Sequence, residues 1–288
     1  MALLKRSSPE PTFDDGRMTL MEHLRELRNR IVKMLLAAVV GTGIGFAFFG
    51  PIWTFMTAPF CRLPEAYKIT NGQSCTLVVH GVLDGFMINL KVAVIFGVVV
   101  TAPLWLYQIW AFVTPGLYQN ERRYTIAFLG LAIPLFGAGA ALAYLTMDRG
   151  LSLLLGFVPG NALALIDVDD YLTFLILMLV IFGISFLMPL LMVFLNVIGV
   201  LKYRTVAKHQ RMIVFLLFVF AAVATPSQDP FTMLALALPM VVLFFVAEVF
   251  MHVHDKRRDA ADEARARAIE EELDGPEESS LDSLDTRD

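Results

Sequence analysis

Apolar residues in this chain gather into six blocks, which cover residues 31–53, 86–112, 124–147, 171–200, 212–225 and 231–250. None of these blocks shows the strict alternation of a half-buried strand. A helix needs about 20 apolar residues to cross a bilayer, and five of the blocks reach that length. The pattern predicts an all-α membrane protein with six transmembrane helices.

Two features of the blocks predict an irregular bundle. At 1.5 Å per residue, block 212–225 covers only about 21 Å of a hydrocarbon core about 30 Å thick. We therefore expect lipid beside it to thin or a neighbour to cover it; alternatively, the helix extends back to Arg204. Four prolines each remove a backbone hydrogen bond, so we expect bent helices that suit a curved wall. They are Pro103, Pro134, Pro189 and Pro239.

Composition and charge then set the class and the orientation. The chain is 57% apolar and 17% charged, whereas soluble domains are about 45–50% apolar and about 25% charged. This excludes an ordinary soluble enzyme, and a net charge of −4 gives no reason to expect a nucleic-acid partner. Most of the 23 Lys and Arg residues lie in the tails and in the second and fourth loops. Both termini are therefore predicted to be cytoplasmic.

The charge pattern divides the chain into three parts. Residues 1–30 form a cytoplasmic tail with an amphipathic helix, which we expect to lie on the membrane surface and turn into the first span. Residues 31–250 form the transmembrane domain, whose first block acts as a retained anchor rather than a cleaved signal peptide. Residues 251–288 form a cytoplasmic tail, first basic and then acidic, which we expect to be solvated and disordered.

Both cysteines, Cys61 and Cys75, lie in the first external loop. The outer face of a plasma membrane permits disulfides, so we predict that the two are joined. Such a bond would contribute about 3 kcal/mol in the chain-entropy model. The alternative is a pair of free, inert thiols.

Few ionisable residues interrupt the blocks, although such residues usually mark function in a membrane. Lys91 lies about one turn inside the second block, and we expect it either to snorkel outwards or to pair with Asp84. The five histidines lie in loops or at block ends, which disfavours a haem-binding anchor. The sequence shows no metal-ligand cluster, nucleophile–base pair or P-loop, so we expect no metal, no cofactor and no enzymatic activity.

Two cytoplasmic segments each place a carboxylate at the inner membrane surface. Glu26 lies in the amphipathic helix, and Glu121 opens the helix that follows Pro115 and Gly116. Two carboxylates at this interface can bind a pair of guanidinium groups bidentately. The alternative is ordinary surface pairing, because Glu26 and Arg30 have the i, i+4 spacing of a helical ion pair.

These segments carry a resemblance to a known family. The motifs are His23-Leu24-x-Glu26-Leu27-Arg28-x-Arg30, Ala58-Pro59, Trp110-Ala111-Phe112-x-x-Pro115-Gly116-Leu117-Tyr118-x-x-Glu121-Arg122-Arg123, Phe182-Gly183-x-Ser185-Phe186-x-x-Pro189, and Thr225-Pro226 followed by Asp229. In order and spacing, residues 18–258 resemble TatC, the multispanning subunit of the twin-arginine protein translocase.

The resemblance implies a concave, glove-like fold of six helices in the bacterial plasma membrane. It implies a receptor for signal peptides that carry an Arg-Arg pair, in a system that exports folded proteins by using the proton-motive force. The implied partners are single-span TatA and TatB subunits, membrane lipid and further copies of the chain. Neither a nucleotide nor another cofactor is implied.

The resemblance also assigns roles to residues. It makes Glu26 and Glu121 the ligands of the twin arginines, and Phe112 part of the same surface. Pro59 and Asp229 match outer-face positions, and Thr225 matches a position where TatA and TatB dock. The basic residues that would support the signal-peptide surface are Arg28, Arg122 and Arg123.

Two positions depart from the family pattern. Leu187 stands where the family usually places a glutamate that faces the concave pocket, and Met233 replaces a frequent glutamine. The pocket is therefore expected to lack its buried carboxylate.

The rival interpretation is a small-solute or ion-coupled secondary transporter, which six spans permit. That class predicts a polar midplane site and internal repeats, and the sequence shows neither.

Overall fold

A computed structural model describes residues 20–63, 69–70, 75–113, 121–159, 166–227 and 229–274. These residues form nine helices and one two-stranded antiparallel ribbon. In chain order the elements are α1 (Leu20–Ala47), α2 (Phe49–Cys61), β1 (Ile69–Thr70), β2 (Cys75–Thr76), α3 (Asp84–Val100), α4 (Ala102–Val113), α5 (Glu121–Leu155), α6 (Val168–Val197), α7 (Tyr203–Lys208), α8 (Gln210–Ala224) and α9 (Pro230–Asp274).

The all-α membrane fold predicted from the apolar blocks is confirmed. Helices α1, α5, α6 and α9 are each long and apolar enough to cross a membrane. Helices α3 and α4 together pass the same test as one bent span, with an angle of 58° between them. Helix α8 is apolar but has only 15 residues, as expected for the short block. Four long helices, one bent pair and one short helix are consistent with six spans.

The first span differs from its prediction at both ends. The expected surface helix does not turn into the span, because α1 runs from Leu20 to Ala47 as one helix. Residues 20–31 contain neither Gly nor Pro to end it. At the other end, block 31–53 is split at Phe48, and α2 begins at Phe49. Pro51 lies in the first turn of α2, where its missing N–H is tolerated.

Only one of the four prolines lies beside a helix break. Between α3 and α4 the chain bends at Thr101, two residues before Pro103. At the bend, Trp105 Nε1 donates to the Val98 carbonyl (2.9 Å). Thr101 Oγ1 donates to the Gly97 carbonyl (2.7 Å), which also accepts from the Thr101 N–H (3.0 Å). Helices α5, α6 and α9 instead continue uninterrupted through Pro134, Pro189 and Pro239.

Helix α6 is the centre of the bundle and packs against α3, α5 and α9. Its Leu172, Leu175, Met178 and Phe182 are fully buried. Small residues permit close backbone approach, as in other membrane bundles. A Cβ on Gly139 of α5 would lie 2.5 Å from the Phe182 carbonyl oxygen of α6.

Helices α1 and α3 approach each other just as closely. A Cβ added to Gly41 would lie 2.8 Å from the Gly97 Cα, and one added to Gly45 would lie 2.7 Å from the Ala93 carbonyl oxygen. These contacts hold α1 against the rest of the bundle although much of its surface is exposed.

We call the end of the bundle where α1 begins the N-terminal end, and the opposite end the α2 end. At the α2 end, Tyr144 donates a hydrogen bond to the Phe55 carbonyl (2.7 Å), and Tyr171 donates one to the Met56 carbonyl (2.6 Å). Val168 N–H donates to the Val78 carbonyl (3.1 Å), and this joins the loop before α3 to the start of α6. Together these bonds fasten α2 and the first loop to α5 and α6.

The predicted pairing of Lys91 with Asp84 is wrong. Lys91 Nζ donates to Asp169 Oδ1 and to Thr173 Oγ1 (3.3 Å), both on α6. Asp84 is engaged elsewhere, because its carboxylate accepts a hydrogen bond from the Gly81 N–H at the start of α3. The lysine therefore ties α3 to α6 at the α2 end.

The C-terminal tail was expected to be disordered, but α9 continues as a helix to Asp274. Ala, Glu and Arg dominate this extension and have high helix propensity. Glu263 and Arg267 add an i, i+4 ion pair with a separation of 3.8 Å. Residues 275–288 lie outside the described part of the chain.

Candidate functional site

The first turns of α1 meet the last turn of α4 at the N-terminal end of the bundle. The His23 ring stacks on the Phe112 ring, with centroids 4.4 Å apart and planes 15° apart. Arg30 Nη1 donates to Gln108 Oε1 at 3.4 Å, one turn earlier on α4. Two of the segments that sequence analysis singled out therefore form one surface.

Glu26 lies between these two contacts. Its Oε1 accepts hydrogen bonds from Arg30 Nε (2.9 Å) and Arg30 Nη2. Its Oε2 is buried and has no hydrogen-bond partner within the described residues, and His23 Nδ1 lies 3.9 Å from it. The i, i+4 pairing considered as an alternative is therefore present, but it engages only one carboxylate oxygen.

An aromatic cluster fixes the end of α4 in place. Trp110 is buried, and its ring stacks on Phe128 of α5 with centroids 3.5 Å apart. The same ring contacts Phe194 of α6 edge-on at 3.8 Å. Such contacts hold the neighbouring Phe112 and Gln108 at a defined position beside α1.

The structure reaches the other predicted signal-peptide residues only in part. Arg28 is exposed on α1. Glu121, Arg122 and Arg123 form the first turn of α5, but their side chains lie outside the described set, as does the whole 114–120 segment. Whether Glu121 faces Glu26 stays a prediction.

A wholly apolar cavity of about 360 Å³ adjoins this surface. It begins at Ile31, the residue after Arg30, and is walled by α1, α3, α4, α5 and α6. Trp105, Phe136 and Ile184 contribute to its lining. Leu187, one turn along α6 from Ile184, packs against the cluster of Ala102, Leu106 and Phe136. A leucine at this position thus continues the apolar wall.

The residues assigned to the α2 end have clear local roles. Asp229 is only 5% exposed and caps α9: its Oδ1 accepts from the Thr232 N–H (2.9 Å), and its Oδ2 accepts from the Thr232 hydroxyl. Burial raises the pKa of Asp229, but hydrogen bonds from Ser227, Thr232 and Phe231 outweigh it and hold the pKa below its usual value. Thr225 is buried, and its Oγ1 donates to the Ala221 carbonyl at the end of α8 (2.9 Å).

Two further predicted positions lie in α2. Pro59 is buried inside this helix. Cys61 is its last residue and is disulfide-bonded. The chain has two cysteines, and the side chain of Cys75 lies outside the described set.

Sequence analysis missed the roles of His23 and Gln108. His23 belonged to the quoted motif, but its stacking on Phe112 joins residues that are 89 positions apart in the chain. Gln108 is one of the few polar residues in the second apolar block. A polar residue inside an apolar block was the signal that could have identified it.

Comparisons with known proteins find relatives over most of the chain. A sequence model of the family described as "Sec-independent protein translocase protein (TatC)" matches residues 22–239. A TatC protein of Frankia casuarinae is 46% identical over 250 residues, which cover 85% of this chain and 69% of that protein. A TatC protein of Corynebacterium kroppenstedtii is 36% identical over 262 residues, covering 84% of this chain and 63% of that protein.

A solved structure leads to the same family. The crystal structure of a twin-arginine translocase receptor, TatC, matches with a TM-score of 0.65 and 29% sequence identity, over 80% of this chain and 99% of that one. These matches support a protein translocase and give no support to the solute-transporter alternative. The chain belongs to the TatC family of Sec-independent protein translocase proteins.

Proposed function

We propose that this chain, as the TatC component of a twin-arginine translocase in a bacterial membrane, binds the two signal-peptide arginines at its N-terminal end. That end faces the cytoplasm in this proposal, because most Lys and Arg residues lie in the segments assigned to it. Glu26 is the first arginine ligand. The α1–α4 contacts around His23, Phe112 and Gln108 hold it in position.

The hydrogen bonding of the Glu26 carboxylate is the main support for the proposal. This carboxylate already binds a guanidinium, that of Arg30, through Oε1. Its Oε2 is buried and has no hydrogen-bond partner in the described structure. Charge-assisted hydrogen bonds between guanidinium and carboxylate are about twice as strong as neutral ones. An incoming arginine can therefore bind Oε2, or displace Arg30, which retains its hydrogen bond to Gln108.

Glu121 is proposed as the second arginine ligand. It opens α5, where the helix dipole favours negative charge. Residues 114–120 connect it to the end of α4, which already contacts α1. Arg28, Arg122 and Arg123 are proposed to shape the surrounding field and to contact acidic or backbone groups of the peptide.

The apolar cavity gives the rest of a signal peptide a place to bind. It begins directly after Arg30 and has no charged side chain in its described lining. An apolar stretch that follows the arginine pair would enter it without desolvating a carboxylate, because Leu187 replaces the acidic residue. The cavity therefore supports binding of an apolar segment next to a charged one.

The remaining assignments concern assembly. As a TatC protein the chain works with other Tat subunits. We propose that TatA- and TatB-type single-span helices dock along α8 and α9, near Thr225 and Asp229. Helix α8 has 15 residues, about 22 Å, so a partner beside it would shield a region where lipid must thin. Transport is proposed to use the proton-motive force, with several copies of the chain in the receptor complex.

Binding of labelled peptides tests the receptor assignment. The purified chain in nanodiscs is titrated with a twin-arginine signal peptide and with the same peptide carrying two lysines. Lysine keeps the charge but lacks the bidentate fork, so we expect at least about tenfold weaker binding. Equal binding of the two peptides would show non-specific attraction and contradict the assignment.

A further inference from the structure

A polar cavity of about 610 Å³ lies at the N-terminal end, between the α6–α7 junction and the extension of α9. The exposed residues of α9 indicate the level of this cavity relative to the membrane. Val249, Phe250 and Val253 are exposed and apolar, and the charged run of 256–258 follows directly. The cavity therefore lies where the surface changes from apolar to charged, which is the level of lipid headgroups.

A buried amide lines this cavity with an unused oxygen. Asn196 is 1% exposed, and its Nδ2 donates to the Leu201 carbonyl (2.8 Å) and to Asp255 Oδ1 (2.8 Å). Both partners are acceptors, so the orientation of the amide is fixed and Oδ1 is the remaining atom. Among described groups, Oδ1 has no hydrogen-bond partner. A buried acceptor of this kind usually has a donor, and a bound molecule can supply one.

Asp255 places a negative charge beside that oxygen. Its Oδ2 accepts from the Tyr203 N–H (2.7 Å), and its Oδ1 accepts from Asn196. Both residues line the cavity. The two side chains together suit a cation that also donates hydrogen bonds, such as a primary ammonium. Within the described chain, no cluster of His, Cys, Asp and Glu is able to hold a metal ion.

Basic residues supply the complementary charge. Lys202, Arg204 and Arg258 line the same cavity, and none of them forms an ion pair within the described structure. Arg258 lies against the turn at Gly199, where a Cβ would lie 2.9 Å from its Nη1. Gly199 has φ +81°, which favours glycine. Farther along α9, Asp259, Asp262 and Glu263 add acidic groups to the lining.

We propose that this cavity binds the headgroup of a phospholipid that carries both a phosphate and a primary ammonium, as phosphatidylethanolamine does. The ammonium donates to Asn196 Oδ1 and Asp255, and the phosphate accepts from Lys202, Arg204 or Arg258. The trimethylammonium of phosphatidylcholine has no N–H to donate, and phosphatidylglycerol has no cation. This site does not depend on the signal-peptide assignment, because neither α1 nor α4 contributes to its lining.

Native mass spectrometry of the full chain tests the proposal. The protein is equilibrated with equal amounts of phosphatidylethanolamine, phosphatidylcholine and phosphatidylglycerol of matched acyl chains, and the retained copies are counted. We expect phosphatidylethanolamine to exceed phosphatidylcholine by about tenfold, the effect of one hydrogen bond to a charged group. Equal retention of these two lipids, or enrichment of phosphatidylglycerol, would overturn the proposal.

Variants of cavity residues test whether the lipid binds in this cavity. Asn196→Ser should reduce the preference for phosphatidylethanolamine over phosphatidylcholine to about twofold or less, because the ammonium loses one contact. Arg204→Gln should instead lower the retained copies of both lipids alike, because both carry the phosphate that it contacts. Arg204 serves as the second site because it makes no internal ion pair, so its replacement should leave the fold intact. Arg265→Gln, on the exposed part of α9 and outside the cavity lining, is the control and should change nothing.

A soluble competitor distinguishes lipid from free headgroup. Glycerophosphoethanolamine presents the same ammonium and phosphate without acyl chains. Displacement of the retained lipid by this molecule, and not by glycerophosphocholine, supports recognition of the headgroup in the cavity. If the two molecules compete equally, or if Asn196→Ser keeps the full lipid preference, the selectivity arises elsewhere and the proposal fails. Unchanged lipid retention in Arg204→Gln would likewise contradict binding of the phosphate in this cavity.

Discussion

Arg30 occupies one oxygen of the carboxylate that we propose as a ligand for a signal-peptide arginine. The two guanidinium groups therefore compete, and Arg30→Gln should strengthen binding of a twin-arginine peptide. Glutamine removes the charge and the fork but keeps a side chain that is able to hydrogen-bond Gln108. The variant should leave the His23–Phe112 contact between α1 and α4 in place.

The size of the effect follows from the exposure of the pair. The side chains of Arg30 and Glu26 are 19% and 23% exposed, so the pair lies between a surface and a buried ion pair. Exposed pairs contribute about 0.2–1 kcal/mol, and partial burial places this one near the upper limit, at about 1 kcal/mol. Release of that interaction corresponds to about fivefold tighter peptide binding.

Fluorescence anisotropy with a labelled twin-arginine peptide and the protein in nanodiscs measures this effect. Arg267→Gln is the matched control, because it removes a fully exposed i, i+4 pair with Glu263 on α9. The control should bind like the unchanged chain. If Arg30→Gln weakens binding tenfold, Arg30 supports the ligand rather than competing with it. If binding does not change, the peptide arginine does not compete with Arg30 for Glu26.

Three further predictions concern stability, each measured by thermal unfolding in detergent. Asp229→Ala removes the cap of α9 and should lower the free energy of unfolding by about 1–2 kcal/mol. Because the pKa of Asp229 is lowered in the folded state, the cap should stabilise fully above the ordinary pKa near 4 and lose its effect as the pH falls below it. A loss of stability that does not depend on pH would contradict this account. Gly97→Ala places a Cβ 2.5 Å from the Thr42 nitrogen and should destabilise by about 1–3 kcal/mol, whereas Gly43→Ala, with open space around it, should be neutral. Cys61→Ser should cost about 3 kcal/mol under oxidising conditions and make the protein insensitive to reductant; continued sensitivity would refute the disulfide.

The apolar blocks were sufficient to predict the membrane class and most of the span positions. Length and apolarity are local properties, and a bilayer makes strong demands on both. The bend beside Pro103 agrees with the loss of a backbone N–H, which is a local event. The same argument does not distinguish Pro103 from Pro134, Pro189 and Pro239, through which the helices continue. The splitting of the first span at Phe48 was missed, because a continuous apolar pattern does not show where one helix ends and the next begins.

Contacts between distant segments were beyond the reach of sequence spacing. Lys91 has Asp84 two turns away on its own helix, yet it pairs with Asp169, 78 positions later. The fold brings α3 and α6 together, and Asp84 instead accepts a hydrogen bond from the Gly81 N–H. The charge of the α9 extension predicts a disordered tail, but the high helix propensity of its Ala, Glu and Arg residues favours the helix that continues to Asp274.

The candidate site includes residues that the sequence motifs identify and contacts that only the folded chain defines. The motifs identified Glu26 and Phe112 as members of one surface, and the contacts between α1 and α4 place them together. The half-engaged state of Glu26 depends on the positions of His23, Arg30 and Gln108, which only the folded chain defines. Glu121 remains a prediction from the motif and from its place at the start of α5.

The central claim is that Glu26 binds a signal-peptide arginine, and a double-mutant cycle tests it most directly. Binding is measured for the unchanged chain and for Glu26→Gln, each with the twin-arginine peptide and with peptides in which either arginine is replaced by lysine. We expect Glu26→Gln to abolish the preference for arginine at one peptide position, with a coupling of at least about 1.4 kcal/mol, or tenfold. Additive effects at both positions would contradict the claim.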